Sequence, residues 1–539
     1  MISSLSDLSV LHLLLHSALT AAGLSLAYFF VRLYQVRTHV RKLSRKYDVK
    51  LMPHSFFWGH LQVLGECMAD IPPDVYGSYL PGQLVKRFPE LNEGLYYIDS
   101  WPFQDPMIAV LEPDMVAQFT VETSMPKAPG VADEFRPLTG ATDILCLEGQ
   151  EWKRWRTMFN PAFSLRNLSA MIPKIVKEGL ALRDVLMNAT ASGDVFEMEH
   201  ATSRFGMDVV GHIVLGHDLG TQKTPHPTMV ALRRQIGLLG YGFWLKHYNP
   251  MTYIRGWQNH AMMDAEFIPM IKRYFSPLAE KESFKTIISL AQNWYTENAG
   301  KKDADKNVFR DLLPQLKILM IAGYETTGIA LAFAYHHLAI NPKVLEALRK
   351  EHDEVLGPVD QVADAMIANP SLVNQLPYTT GVIKESLRMH PPVSTIRDGS
   401  RTKFLVNGQG KKFPTEGFRL LSSTYDFQTT ETVWHRGKEF LPERWVVRDE
   451  RNPLYHGPHT KNSFRPFEMG PRACLGQELA MMDMRIALAL TTREFDFTDA
   501  YPADAPKMDG SPCYNAQLDG ELTAHCSLRC PVKISLRTA

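Results

Sequence analysis

Phe467-Glu468-Met469-Gly470-Pro471-Arg472-Ala473-Cys474-Leu475-Gly476 is a glycine- and proline-rich loop that delivers one cysteine to the start of a helix. The residues after it, Gln477 to Phe497, are rich in Ala, Leu, Met and Glu, which lose little on entering a helix, so a helix is expected there. Cys474 then stands at the positive end of that helix. Helix-terminal N–H groups and the nearby Arg472 favour thiolate over thiol, and a thiolate of restricted access is a metal ligand rather than a general nucleophile. A haem iron takes a single soft axial ligand of this kind.

The same ten residues resemble the cysteine-ligand loop of the cytochrome P450 family, Phe-x-x-Gly-x-Arg-x-Cys-x-Gly. Phe467, Gly470, Arg472, Cys474 and Gly476 fill its five fixed positions. The resemblance implies Cys474 as the haem-iron ligand, Arg472 as a partner of a haem propionate and Phe467 as the packing residue that shields the thiolate. Gly470 and Gly476 are expected to let the backbone turn and bring N–H groups toward sulfur.

A second constellation is Gly149, Trp152, Arg156, Pro161 and Phe163. Trp152 and Arg156 are four apart and share one face of a helix. Their indole and guanidinium donors suit a buried carboxylate, which the resemblance identifies as a haem propionate. A long helical segment from Asp311 to Leu338 contains Ala322-Gly323-Tyr324-Glu325-Thr326-Thr327. Glycine inside a helix costs about 1 kcal/mol relative to alanine, so its place beside an acid and two hydroxyls points to a special site. A threonine hydroxyl can bond back to a carbonyl one turn earlier and open the helix locally. The hexad resembles the family's oxygen-activation motif, which implies Glu325 as the acid of a proton relay and Thr326 as the donor to dioxygen.

Asn341 and Pro342 are read as the cap and first residue of a helix ended by Gly357. Leu376, Pro377 and Tyr378 open another, on which Glu385 and Arg388 lie three apart and can pair. With Pro391, Pro392 and the stretch Phe440 to Arg444, these resemble the family's Glu-Arg-Arg triad, Arg444 being the third member. Two guanidiniums on one carboxylate imply a structural lock. Trp445, where the family usually has Phe, is expected to affect packing only. Arg397 is the expected additional propionate ligand, with Arg401 as the alternative.

From Val10 to Val31 the chain is apolar except for His12, His16 and small hydroxyl residues, long enough to cross a bilayer as a helix. Basic residues from Arg32 to Lys50 follow it, which sets the remainder on the cytosolic side. The expected organisation is an anchor at 1–31, a basic hinge at 32–60 and one catalytic domain at 61–539. Gly94 to Val110 is read as part of a small sheet, and Met125 to Leu147, with its prolines and glycines, as loop. The middle of the chain has helical periodicity. Helix gives way after Phe497 to loop and closing strands, the last alternating from Leu528 to Leu536.

Hydrophobic residues make up 45% of the 539, enough for a large core, and 58 Lys and Arg balance 58 Asp and Glu. No net field therefore argues for nucleic acid. The six cysteines are scattered, which suits a reducing compartment better than a disulfide framework. Cys526 and Cys530, with His525 beside them, lack a second ligand pair and are read as strand residues.

The resemblance covers nearly the whole chain. It implies a mainly α fold with small β-sheets (α+β), with haem b between the long central helix and the cysteine loop, preceded by one transmembrane helix. It also implies a haem-thiolate monooxygenase of the endoplasmic reticulum membrane, single-pass with a cytosolic catalytic domain. Its electrons are expected from NADPH through a separate cytochrome P450 reductase, with a cytochrome b5-type protein as auxiliary donor, since no flavin or nicotinamide fingerprint is present. The expected substrate is a hydrophobic small molecule, and by analogy with fungal members a polyketide or terpenoid secondary metabolite. A haem-thiolate enzyme of rearrangement or oxidative coupling, and a non-catalytic haem sensor, are the other classes open at this point.

Overall fold

One unbroken helix, Ile2–Tyr47, begins the computed structural model, which describes residues 2–239, 249–276, 282–298, 308–399, 404–446, 460–518 and 522–537. The helix passes residue 31 without a break, and the chain first turns at Asp48, in the left-handed region. Its two halves differ. Leu13, Leu19 and Leu24 are exposed, whereas Leu33, Val40 and Leu43 are buried, the last two in a cluster with Phe413 and Phe418. Arg37 is wholly buried. It pairs with the Asp99 carboxylate and donates to the carbonyls of Phe56 (3.2 Å), Phe57 (3.1 Å) and Trp101 (2.7 Å). The second half of the helix is thus part of the globular body.

The centre of that body is the helix Val308–Ile340, buried along most of its length. It lies against the helix Met198–Leu215, and glycines set how closely. A Cβ on Gly323 would stand 2.4 Å from Val210 Cγ2, and one on Gly328 would stand 2.5 Å from the Ser203 Cα. Thr202 Oγ1 donates to the Gly328 carbonyl at 2.7 Å across the same contact. Gly323, read above as the mark of a special site, has a packing reason for being there.

Small sheets flank the helices. Leu95–Ile98, Met107–Val110, Arg419–Ser422 and Ile396–Asp398 form a four-stranded sheet in that order, with the middle pair parallel and the outer pairs antiparallel. The helix after the cysteine loop is Gln477–Thr491, ending before Phe497. Phe495–Asp499 is instead a strand, as its alternating aromatic residues favour, and it pairs antiparallel with Pro531–Leu536. That last strand starts at Pro531, not Leu528, because Leu528, Arg529 and Cys530 all take left-handed φ (49°, 60° and 56°). Cys530 is accordingly a turn residue, while His525–Cys526 is a short strand paired with Asn515–Ala516.

The stretch expected as loop between Met125 and Leu147 contains a helix, Pro129–Thr139. Its punctuating residues are boundaries. Pro129 sits in the first turn, where no N–H is needed, and Gly140 closes the helix at φ 68°. Asn341 does occupy the start of Pro342–Leu356, but its side chain donates backward to the His337 carbonyl (2.8 Å), closing the central helix rather than capping the next.

Candidate active site

Cys474 precedes the N-terminus of the helix Gln477–Thr491, with its N–H bonded to the Phe467 carbonyl at 2.8 Å. Gly470 makes this loop possible. Its φ is 82°, and a Cβ there would lie 2.5 Å from the Thr120 carbonyl oxygen. Gly476 is under no such demand, since its φ is −90° and a Cβ would touch only Phe163 at 3.9 Å. Burial pushes the Cys474 thiol up, while the Gly476 and Gln477 N–H groups and the Arg156 guanidinium pull the other way. The cation acting on the sulfur is Arg156, not Arg472 as the sequence suggested, because Arg156 reaches the loop from the helix Gly149–Phe159 and donates to the Ala473 carbonyl at 2.8 Å.

Arg472 turns toward Trp152, its guanidinium carbon 4.3 Å from the ring centroid, and it donates to the Leu147 carbonyl at 2.7 Å. It also pairs with Glu148, a residue the sequence reading had not singled out, whose carboxylate also accepts from the Lys127 N–H at 2.8 Å. Trp152, Arg156, Arg472, Phe467 and Cys474 are therefore gathered on one loop–helix junction. Arg401 lies outside the described residues.

Arg397 is the most informative member. It belongs to the strand Ile396–Asp398, is fully buried, and none of its three guanidinium nitrogens has a hydrogen-bond partner among the described residues. Burial lowers its pKa to about 10. Lys127 bridges to Arg397 along the backbone, and its ammonium pKa is lowered to about 7, first by burial and then by Arg397. An unpaired buried guanidinium is strongly destabilising; Glu468 and Glu148 act on Arg397 through space without bonding it, so its nitrogens are left to take a further anion.

On the central helix, Thr326 Oγ1 bonds back to the Ala322 carbonyl at 2.7 Å. Ala322 is exposed and Thr326 half-buried although Ile321, Tyr324 and Glu325 between and beside them are buried. Cys474 is likewise the one cysteine with exposed surface among the described residues. Glu325 is buried. Its Oε1 lies 3.1 Å from His525 Nε2 and accepts from the Leu522 N–H at 3.4 Å.

Glu385, Arg388 and Arg444 meet as a buried cluster. Arg388 is bidentate on the carboxylate (2.9 and 2.8 Å), and Arg444 Nε adds a third bond at 2.8 Å. Burial would raise the Glu385 pKa, but Arg388, Arg444 and the Leu441 N–H together hold it below the ordinary range. Trp445 does more than pack, contrary to the expectation above, for its Nε1 donates to Glu385 Oε2 at 2.9 Å. A phenylalanine could not make that bond.

A family model described as Cytochrome P450 matches residues 89–515. The chain is 33% identical to Cytochrome P450 monooxygenase polC of Polytolypa hystricis, over 95% of this chain and 94% of that one. It is 30% identical to Cytochrome P450 monooxygenase acrF of Aspergillus aculeatus, over 78% and 87% respectively. Among solved structures it superposes on the haem domain of cytochrome P450DA with a TM-score of 0.70, covering 91% of this chain and 98% of that one at 19% identity.

Proposed function

Because the chain belongs to the cytochrome P450 family, whose members hold haem through a cysteine thiolate, we propose that Cys474 is the iron ligand and that Arg397, Trp152, Arg156 and Arg472 surround the propionates. The observation that carries this reading is Arg397. Its three orphaned nitrogens call for a buried carboxylate, and Lys127 and Arg472 add positive charge beside it. When bound, haem supplies dioxygen activation and transfer of one oxygen atom. The chain's part is to shield the thiolate with Phe467, to hold a proton at Glu325 and to offer the Thr326 hydroxyl to the slot.

The reaction is dioxygen-dependent oxidation of a hydrophobic small molecule, by hydroxylation, epoxidation or desaturation. The substrate class we infer, by analogy with fungal members, is a secondary metabolite of polyketide or terpenoid type. Electrons come from NADPH through a separate cytochrome P450 reductase, with a cytochrome b5-type protein assisting. The catalytic domain takes in residues 61–539 together with the second half of the N-terminal helix and the segment after it. It is held on the cytosolic face of the endoplasmic reticulum by the apolar first half of that helix, which is long and apolar enough to span a bilayer. The deciding experiment reconstitutes the chain with reductase and NADPH and follows labelled dioxygen. Label in a lipophilic product supports oxygen insertion, dioxygen-dependent turnover with an unlabelled product assigns desaturation or coupling, and turnover without dioxygen would instead assign the rearrangement class.

Two variants extend this. Thr326→Ala should divert reducing equivalents from product to peroxide, lowering product per NADPH about 10-fold or more; coupling equal to the parent's would remove Thr326 from proton delivery. Deleting residues 1–31 leaves Arg37 and its Asp99 lock in place, so the truncated protein should leave the membrane pellet with its thermal unfolding midpoint shifted by no more than a few degrees. Continued tight pelleting would point to a further attachment surface.

A further inference from the structure

We propose that His525 relays protons to Glu325 from the side of Glu199, along the chain Glu325–His525–Glu199, with Arg529 holding Glu199 at the outer end. The inference rests on the monooxygenase reading and adds to it the route by which the acid is refilled.

The geometry is continuous. His525 Nε2 is 3.1 Å from Glu325 Oε1 and its Nδ1 is 2.8 Å from Glu199 Oε1. Arg529 Nη1 reaches the same Glu199 oxygen at 2.6 Å and passes 3.2 Å from Nδ1. The other Glu199 oxygen accepts from the Cys526 N–H at 2.8 Å. His525, Glu199 and Glu325 are all buried, whereas the Arg529 side chain is 18% exposed. A surface cleft lined by Glu197, His200 and Ala201 flanks the turn that carries Glu199. The Arg529 end of this cluster thus meets solvent and the other end is the acid next to Thr326.

Three separate segments converge here, and the residue types matter. Glu199 lies in the first turn of Met198–Leu215, where the helix end favours a carboxylate. Burial pulls the His525 imidazole down, but its hydrogen bonds to Glu199 and Glu325 outweigh this and raise its pKa to about 9. An arginine at 525 could pair with both acids equally well but could never release a proton. Imidazole binds and releases protons at two different nitrogens, one toward each acid, which is what a relay needs. Delivery moves the Nε2 proton onto Glu325 Oε1 and leaves a neutral ring. The proton left on the ring is then at Nδ1, so the ring must turn to bring its free nitrogen toward Glu199 before one proton from that side restores the imidazolium.

The test uses the full-length, haem-loaded protein with reductase, and the variants His525→Gln and Glu199→Gln. Histidine labelled with nitrogen-15 gives the first readout, the His525 signal being the one that disappears in His525→Gln. We expect a doubly protonated ring at neutral pH, and a neutral ring there overturns the relay. The second readout is product per NADPH together with its solvent isotope effect. With the carbon monoxide band retained, His525→Gln should lower coupling about 10-fold, less than the ~10²-fold loss expected of a directly acting proton donor, and enlarge the isotope effect. Parent-like coupling and isotope effect in His525→Gln overturn the proposal. A wild-type protein that consumes no dioxygen would overturn the functional reading instead, while the ring signal still judges the relay.

Discussion

Cys474→Ala should abolish the Soret band near ~450 nm that a reduced, carbon monoxide-bound thiolate haem gives, and with it all NADPH-dependent oxidation. The reason is the placement of the cysteines. Cys67, Cys513, Cys526 and Cys530 are buried in the core, Cys146 is half-buried with its thiol pushed up by burial, and Cys474 alone is an exposed residue, set just ahead of a helix start. The substitution removes no core packing, so the far-ultraviolet helical signal should be retained. A band that survives in this variant would assign the iron to another ligand.

Glu385→Ala should be the most damaging change to stability. It leaves Arg388 and Arg444, both almost wholly buried, without their shared carboxylate and strips the Trp445 indole and the Leu441 N–H of an acceptor. Breaking a buried ion pair from one side costs about 3–5 kcal/mol, against a typical total of about 5–15 kcal/mol. The expected result is a chain recovered largely unfolded or without haem. Recovery of folded, haem-loaded protein with a parent-like unfolding midpoint would show that the two arginines find sufficient partners in the Gln428, Gly437, Glu439, His435 and Arg436 carbonyls they already touch.

What could be read in advance follows how local each signal is. The cysteine loop and the hexad of the central helix are contiguous, so residue order alone exposes them. The Glu385–Arg388 pair is local as well, and Arg444 joined it through nearby family-like residues. Trp445 was misjudged because its hydrogen-bond partner lies on another helix, and an indole N–H shows no direction in sequence. Pro129 and Gly140 suggested loop when they are the ends of a helix. His525 was set aside as a strand residue beside two cysteines, and it is one, yet its chemistry depends on Glu199 and Glu325, which only the approach of two glycine-bearing helices brings within reach. Arg397 was named as a candidate, but its lack of hydrogen-bond partners among the described residues is a property of three dimensions.

The N-terminal helix has a mechanical consequence. With the apolar half in a bilayer as proposed, and the other half bolted to the body by Arg37, no swivel separates membrane from enzyme. A lipid layer thinner than the apolar stretch makes such a rod lean, and here the whole catalytic body would lean with it. Bilayer thickness would therefore set the angle at which the enzyme presents itself to a reductase confined to the same plane. Electron supply would then respond to lipid composition even where the chemistry inside the protein does not.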